Sequence, residues 1–408
     1  MKRILLMSLG SRGDMEPFLA LGQTLIKNGH QVGFCVPEQF QSLAQTVASD
    51  FYPQDKSFLD LVHGPDIRKI IGQVGSKWSR LWTLLRLMKK TKKVQEQMIL
   101  DQEAAVKAFL PDKIIFHIKC IYPVIWGLHF RKKVAILSPI PALLHPIDNI
   151  PHVAFGRPRF PFWNRMTYAV ALYALVNKSI LGYGKSFLKK YNIHLSSRQL
   201  KAFYLQQLAV TYTVSPQLFE RPAAWPPQAQ CNPFLLRESK RNYTPPDDLQ
   251  HFLKTYPNPV YVGFGSMVNA QPKTIAADVI AVCEGLHQPL ILNASWGGLE
   301  PPDSLPEWAF VVTDVPFDYL FPKVAVVIHH GGAGTTHAAL AHQTPQAIIP
   351  HIADQYFWNR QIQSKGLGCY GFPIKKWSQK RFETLLQKLL SFSLNEPIID
   401  IKKNNPTL

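Results

Sequence analysis

The run His329-His330-Gly331-Gly332-Ala333-Gly334-Thr335-Thr336-His337-Ala338-Ala339-Leu340 has the composition of an anion cradle. Apolar, β-rich Val324 to Ile328 precedes it, and Ala338-Ala339-Leu340-Ala341, a good helix former, follows. A strand, a glycine-rich turn and a helix start bring backbone N–H groups and a helix N-terminus to one point. The glycines let the main chain approach a ligand closely, and Thr335 and Thr336 add hydroxyl donors. A pyrophosphate suits such a turn. Five histidines lie in this region, His329, His330, His337, His342 and His351, but their spacing matches no metal-ligand pattern and no carboxylate pair accompanies them. The chain also has no Asp-x-Asp, so no metal is expected and the helix terminus must carry the diphosphate charge.

A second glycine loop, Gly10-Ser11-Arg12-Gly13-Asp14, follows the apolar stretch Arg3 to Ser8. These two loops need elements to hold them. Phe18, Leu21, Leu25 and Ile26 recur at helical spacing, with Pro17 in the first turn and Gly29 placed to end the helix. Gln31 to Val36 reads as the second strand, and apolar strands follow at Lys113–Ile118 and Val134–Leu137. Strands alternating with helices predict a parallel, doubly wound α/β sheet. A proline cluster (Pro216, Pro222, Pro226, Pro227, Pro233, Pro245, Pro246) with Arg237, Lys240 and Arg241 reads as a linker. The division expected is a domain over 1–215, a Pro-rich linker over 216–255 and a second domain over 256–408.

In the second domain, Val260–Phe264 leads into Gly265-Ser266, a helix near 272–286 and strands at 289–293, 309–312 and 346–349. A helix follows from about 354 to 364. The last helix, 378–391, is left unassigned, with a return to the first domain as one option. Two such domains facing a cleft would present both glycine loops at carboxyl ends of strands, where ligands gather.

Length and composition agree with this. At 408 residues, 46% hydrophobic and 18% charged, the chain can bury two cores. Its 45 Lys+Arg against 27 Asp+Glu give a net charge of +18, which suits an anionic partner or simply aids solubility. No zinc-finger or RNP-like signature points to nucleic acid. The cysteines, Cys35, Cys120, Cys231, Cys283 and Cys369, are scattered and never spaced C-x-x-C, which fits a reducing, cytoplasmic setting. Residues 1–10 run directly into a strand pattern without a signal sequence, and no stretch reaches the ~18 apolar residues of a spanning helix.

Several pieces, in order, resemble the GT-B glycosyltransferases that use nucleotide-sugars. They are Ser11-Arg12-Gly13-Asp14-x-x-Pro17, Gly29-His30-x-Val32, Ser215-Pro216 with Arg221-Pro222 and Trp225-Pro226, and Gly263-Phe264-Gly265-Ser266-Met267. Val315-Pro316-Phe317-Asp318-Tyr319-Leu320-Phe321-Pro322, the His329–Thr336 run and Asp354-Gln355-Tyr356-Phe357-Trp358-Asn359 complete the series. Within the superfamily the chain is most similar to sterol glucosyltransferases and to enzymes that glycosylate glycopeptide and other antibiotic aglycones. The resemblance implies two Rossmann-like domains, the first for acceptor and the second for donor. It implies transfer of a hexose, glucose foremost, from a UDP-sugar to a hydroxyl, with inversion and with no metal or other cofactor.

It also assigns roles. Asp14 becomes the base for the acceptor hydroxyl, although a helix cap beginning near Glu16 or Pro17 is the simpler reading of the residue alone. His117 falls where plant relatives place the aspartate that supports a histidine base, so a His117–Asp14 pair would be that couple with its partners exchanged; a strand-end histidine without a catalytic role is the plainer alternative. For the donor, the resemblance implies that His329, Gly332, Ala333, Gly334 and Thr335 hold the diphosphate, with Ser266 as a second phosphate contact, while His330 is structural. Arg12, with Gly13, reaches toward the diphosphate or is an ordinary surface arginine. Asp354 and Gln355 match the pair that binds sugar hydroxyls. Where plant relatives stack the base on a tryptophan, this chain has Asp314, which leaves base recognition to the Val315 backbone and to Phe317.

Two basic, aromatic segments bear on the acceptor: Lys77 to Lys93 and Phe160-Pro161-Phe162-Trp163 running into Tyr168–Tyr173. Each is either a helix packing on the sheet or a membrane-surface element. Together they favour a hydrophobic acceptor (a sterol, terpenoid, polyketide or lipid) and peripheral membrane contact. A non-catalytic nucleotide-sugar or lipid-binding module is one competing reading. A nicotinamide oxidoreductase is the other, but Gly10–Gly13 lacks the G-x-G-x-x-G spacing.

Overall fold

The computed structural model describes residues 1–58, 60, 77–156, 160–237, 243–265, 267, 269–294 and 298–394, with the main chain alone for 77–88. The chain divides into two compact units. The first comprises Met1–His152, Arg159–Thr213 and Arg221–Arg237; the second comprises Val153–Pro158, Val214–Glu220 and Glu238–Leu408.

In the first unit, strands β1 (Arg3–Met7), β2 (Gln31–Pro37), β3 (Asp50–Gln54), β4 (Lys113–Phe116), β5 (Lys133–Ser138), β6 (Ala209–Thr213) and β7 (Ala229–Asn232) form one parallel sheet. Its order is β3-β2-β1-β4-β5-β6-β7. Leu5, Leu6 and Met7 are wholly buried, as expected of a central parallel strand covered on both faces. Helix α1 (Arg12–Lys27) sets Met15, Phe18, Leu19 and Leu25 against Ile4, Leu6, Val32 and Phe34. Each such side chain contributes about 1.5–3 kcal/mol of burial. The helix starts at Arg12, earlier than the proline suggests, because Ser11 and Asp14 form a reciprocal capping box; Pro17 therefore lies inside it.

The expected linker is also redrawn. Residues 221–237 belong to the first unit and supply β7, which pairs with β6, while residues 247–255 form a helix of the second unit. Prolines in 216–246 thus bound short elements.

The second unit holds β8 (Val260–Gly263), β9 (Leu290–Asn293), β10 (Ala309–Val312), β11 (Val326–His329), β12 (Gln346–Ile348) and β13 (Gly368–Cys369), in the order β10-β9-β8-β11-β12-β13. All pairs are parallel. The last helix, Gln379–Leu390, does not return to the first unit: Phe382, Leu385, Leu386 and Leu389 sit in the core with Val260, Val262 and Ile275. In both sheets the strand order reverses beside the first strand, between β1 and β4 and between β8 and β11. Those are the points where open α/β sheets bind ligands.

Candidate active site

At the first reversal, Met7 pairs with Phe116, so the loops leaving β1 and β4 adjoin, and the His117 N–H donates to the Met7 carbonyl at 2.8 Å. Asp14 stands in the first turn of α1. Its Oδ2 accepts from the Ser11 N–H at 2.7 Å and from the Ser11 hydroxyl at 3.1 Å. Its Oδ1 lies 3.4 Å from His117 Nε2 and 3.2 Å from Lys119 Nζ. Capping and the meeting with His117 therefore coexist, one on each carboxylate oxygen. Gly10 makes room: with φ of +137°, any β-carbon there would strike the Asp14 carboxylate.

His117 is 3% exposed, and its Nδ1 accepts the Lys119 N–H at 3.3 Å. That bond puts the proton of the neutral ring on Nε2, facing Asp14. Burial, with Lys119 adding to it, brings its pKa down to about 3, so the ring is neutral at physiological pH. Burial also presses the Asp14 carboxyl upward, but Lys119, His117 and the Ser11 N–H outweigh it and leave the group below its ordinary value. Lys119 was not singled out by the sequence, although it stands two residues beyond His117 in the same loop. Arg12 donates to Glu16 at 3.2 Å, and Glu16 is also held by Arg237.

Beside Lys119 opens a cavity of about 240 Å³ whose walls include Ile121, Leu144, Tyr168, Leu172, Leu175 and Ile180. Part of the wall is a rare π-helical stretch, Ala174–Tyr183.

At the second reversal, Gly263 pairs with His329, and the turn His330-Gly331-Gly332 leads into helix Ala333–Ala341 with Gly332 as its N-cap. The N–H groups of Ala333, Gly334 and Thr335 occupy the first turn, where an α-helix provides no partner. Gly334 faces open space. His329, expected at a phosphate, already has partners within the chain. Its ring is wholly buried, Nδ1 accepts from the Gly331 N–H at 3.2 Å and Nε2 meets Gln346 Oε1 at 2.9 Å. Burial lowers its pKa to about 4. His330, read as structural, is the histidine at the turn. Its ring fills the space that β-carbons on Gly265 and Gly332 would need, both at 2.7 Å, and its Nδ1 is buried without a hydrogen-bond partner. Thr336 is no donor to a ligand either, since its hydroxyl donates to the Gly332 carbonyl at 2.9 Å.

The other histidines have local tasks. His337 accepts the Ser215 N–H at 3.1 Å, His342 meets Asp318 at 3.1 Å, and His351 meets Asn269 at 2.8 Å. Among the described residues no three His, Cys, Asp or Glu side chains cluster as metal ligands. Asp354 precedes helix Gln355–Ser364 and accepts from Trp358 Nε1 at 3.2 Å. Gln355 is 4% exposed, and its Oε1 accepts from the N–H groups of His351 and Ile352 at 2.7 and 3.0 Å. It braces the loop. Val315 is half-buried beside Phe317 and Tyr319. Ser266 and the side chains of 77–88 lie outside the described residues.

Comparison with known proteins agrees with both halves. Residues 4–110 match the glycosyltransferase family 28 N-terminal domain, and residues 286–391 match the erythromycin biosynthesis protein CIII-like C-terminal domain. The structure superposes on the glycotransferase of kitacinnamycin with a TM-score of 0.66 at 15% identity, covering 96% of this chain and 91% of that one. The calicheamicin glycosyltransferase CalG4 gives 0.65 at 13% identity, covering 96% and 90%. The chain shares the GT-B fold of these glycosyltransferases. Its relatives include two sterol 3-beta-glucosyltransferases of Arabidopsis thaliana, UGT80A2 and UGT80B1, at 27% and 26% identity over 95% and 98% of this chain. The chain spans 60% and 65% of the length of these relatives.

Proposed function

We propose that the chain is an inverting, metal-independent hexosyltransferase that moves glucose from UDP-glucose to a hydroxyl of a sterol, terpenoid, polyketide or other lipid. The observation that carries this is the Asp14–His117 couple at the reversal point of a sheet of this fold, beside an apolar cavity. In the transfer, the acceptor hydroxyl gives its proton to Asp14 as its oxygen bonds to the anomeric carbon. The bond from that carbon to the phosphate oxygen breaks, and the diphosphate leaves with the electron pair. One displacement inverts the centre. His117 touches the carboxylate through Nε2–H and acts as a positioning residue. Negative charge growing on the diphosphate is met by the first-turn N–H groups of 333–335 and by His330, fixed donors that need no metal. Asp354 is the group proposed for the sugar hydroxyls, with the Val315 main chain and Phe317 for the base. Arg12 serves the diphosphate only if it leaves Glu16. A lipid acceptor makes a membrane surface a peripheral partner.

The test is mass spectrometry of products after supplying UDP-glucose, UDP-galactose and TDP-glucose with a sterol and polyphenol mixture. A hexoside with UDP release is expected, strongest with UDP-glucose. No glycoside and no nucleotide release with any donor would contradict the reading.

A further inference from the structure

Helix α4 (Pro161–Tyr173, following α2 at 77–109 and α3 at 122–129) has two apolar sides. Tyr168, Ala171 and Leu172 line the cavity beside Lys119. At 100° per residue, Phe162, Met166, Val170 and Tyr173 fall on the opposite side, and all four are exposed, by 69, 40, 48 and 55%. Phe160 and Trp163 extend this face, at 78% and 47%. Six of the fifteen large hydrophobic side chains exposed among the described residues thus lie within residues 160–173, too many for scattered surface positions.

Charge singles out the same stretch. Between Asp148 and Glu220 the sequence has nine Lys and Arg and no acidic residue. Lys178, Lys185, Lys189 and Lys190 are exposed on the segments that follow the helix. Arg165 on the helix is paired with Asp148 at 2.6 Å, but the lysines that follow leave the stretch an aromatic face followed by cations, which complements a surface that is apolar beneath and negative above. Among the described residues no helix is long and apolar enough to cross a membrane.

We propose that the Phe160–Tyr173 face docks this unit on an anionic lipid bilayer, so that a lipid acceptor passes around one helix from the membrane to the cavity behind it. This rests on the lipid-acceptor reading for its purpose, and on exposure and charge for its location. The aromatic rings would enter the headgroup region while the lysines meet phosphates, so both apolar contact and salt should matter.

The experiment is co-sedimentation of the full chain with phosphatidylcholine vesicles and with vesicles that also contain phosphatidylglycerol. Binding is expected to the mixed vesicles and to weaken with salt. The triple variant Phe160→Ser/Phe162→Ser/Trp163→Ser should bind about tenfold or more weakly. It should keep its melting temperature and its transfer to a water-soluble, short-chain acceptor. Unchanged vesicle binding by the variant, or none by the parent chain, overturns the proposal. So does light scattering that shows a dimer which the variant dissolves, since a second copy then covers the face. If vesicles bind as expected while no acceptor of any kind is glycosylated, the docking stands and the transferase reading fails.

Discussion

At Asp14, burial and charge oppose one another. A carboxyl removed from water favours its neutral form, and a neutral acid cannot take a proton from an alcohol. Lys119 Nζ at 3.2 Å, the Ser11 N–H and His117 keep the group charged. His117 cannot take over as base, because Nδ1 already accepts a backbone N–H and Nε2 carries the proton. Lys119→Met is therefore expected to raise the Asp14 pKa, since the group then faces only neutral His117 and the Ser11 donors. The acid limb of kcat/KM, which reports the free enzyme, should move to higher pH while the alkaline side is unchanged. An unmoved acid limb would remove Lys119 from this role. Asp14 was legible in the sequence because its loop motif is local. Lys119 was not, because its contact with Asp14 spans 105 positions and depends on β1 pairing with β4.

At the scale of elements, the end of β11 gives the two adjacent histidines different surroundings. His329 ends β11 with its ring wholly buried, and His330, one residue on, packs its ring beside Gly265 and Gly332. Sequence reading found the strand, turn and helix of this region in order, but not that the His329 ring is buried against Gln346, a partner 17 residues away. His329→Ala should lower stability by about 1–3 kcal/mol by leaving the buried Gln346 Oε1 without its partner. His330→Ala should leave the melting temperature nearly unchanged and cut kcat about 10²-fold or more. The reverse pattern in thermal melts and turnover would restore the first assignment. Sequence reading missed four strands, β3, β6, β7 and β13; β7 lies among prolines, and β13 is two residues long, so neither of these two shows a period.

Across the whole molecule, histidines link the fold to pH. His117, His145, His329, His337 and His351 are buried, with pKa values brought down to about 3 or 4 by burial. In the unfolded chain each titrates near 6.5. Below that value the unfolded state binds protons that the folded state refuses, so stability falls as pH drops. It is fully present above about 6.5 and is lost progressively down to about 3. Denaturant melts should show this decline between those limits; a flat profile would contradict the neutral, buried state of these rings. The two-unit α/β plan was legible because its strands are apolar and its helices periodic. Its boundaries were not, because residues 221–237 join the first sheet by pairing with β6 after the chain has visited the second unit.

The central claim is that Asp14 deprotonates an acceptor hydroxyl as a sugar diphosphate departs. Asp14→Asn keeps the shape and an oxygen for the Ser11 N–H while removing the base. Glycoside formation from UDP-glucose should fall by about 10²–10⁴-fold while UDP-glucose affinity, measured by calorimetry, stays the same. Glycoside formation by the variant at the parent rate would contradict the claim.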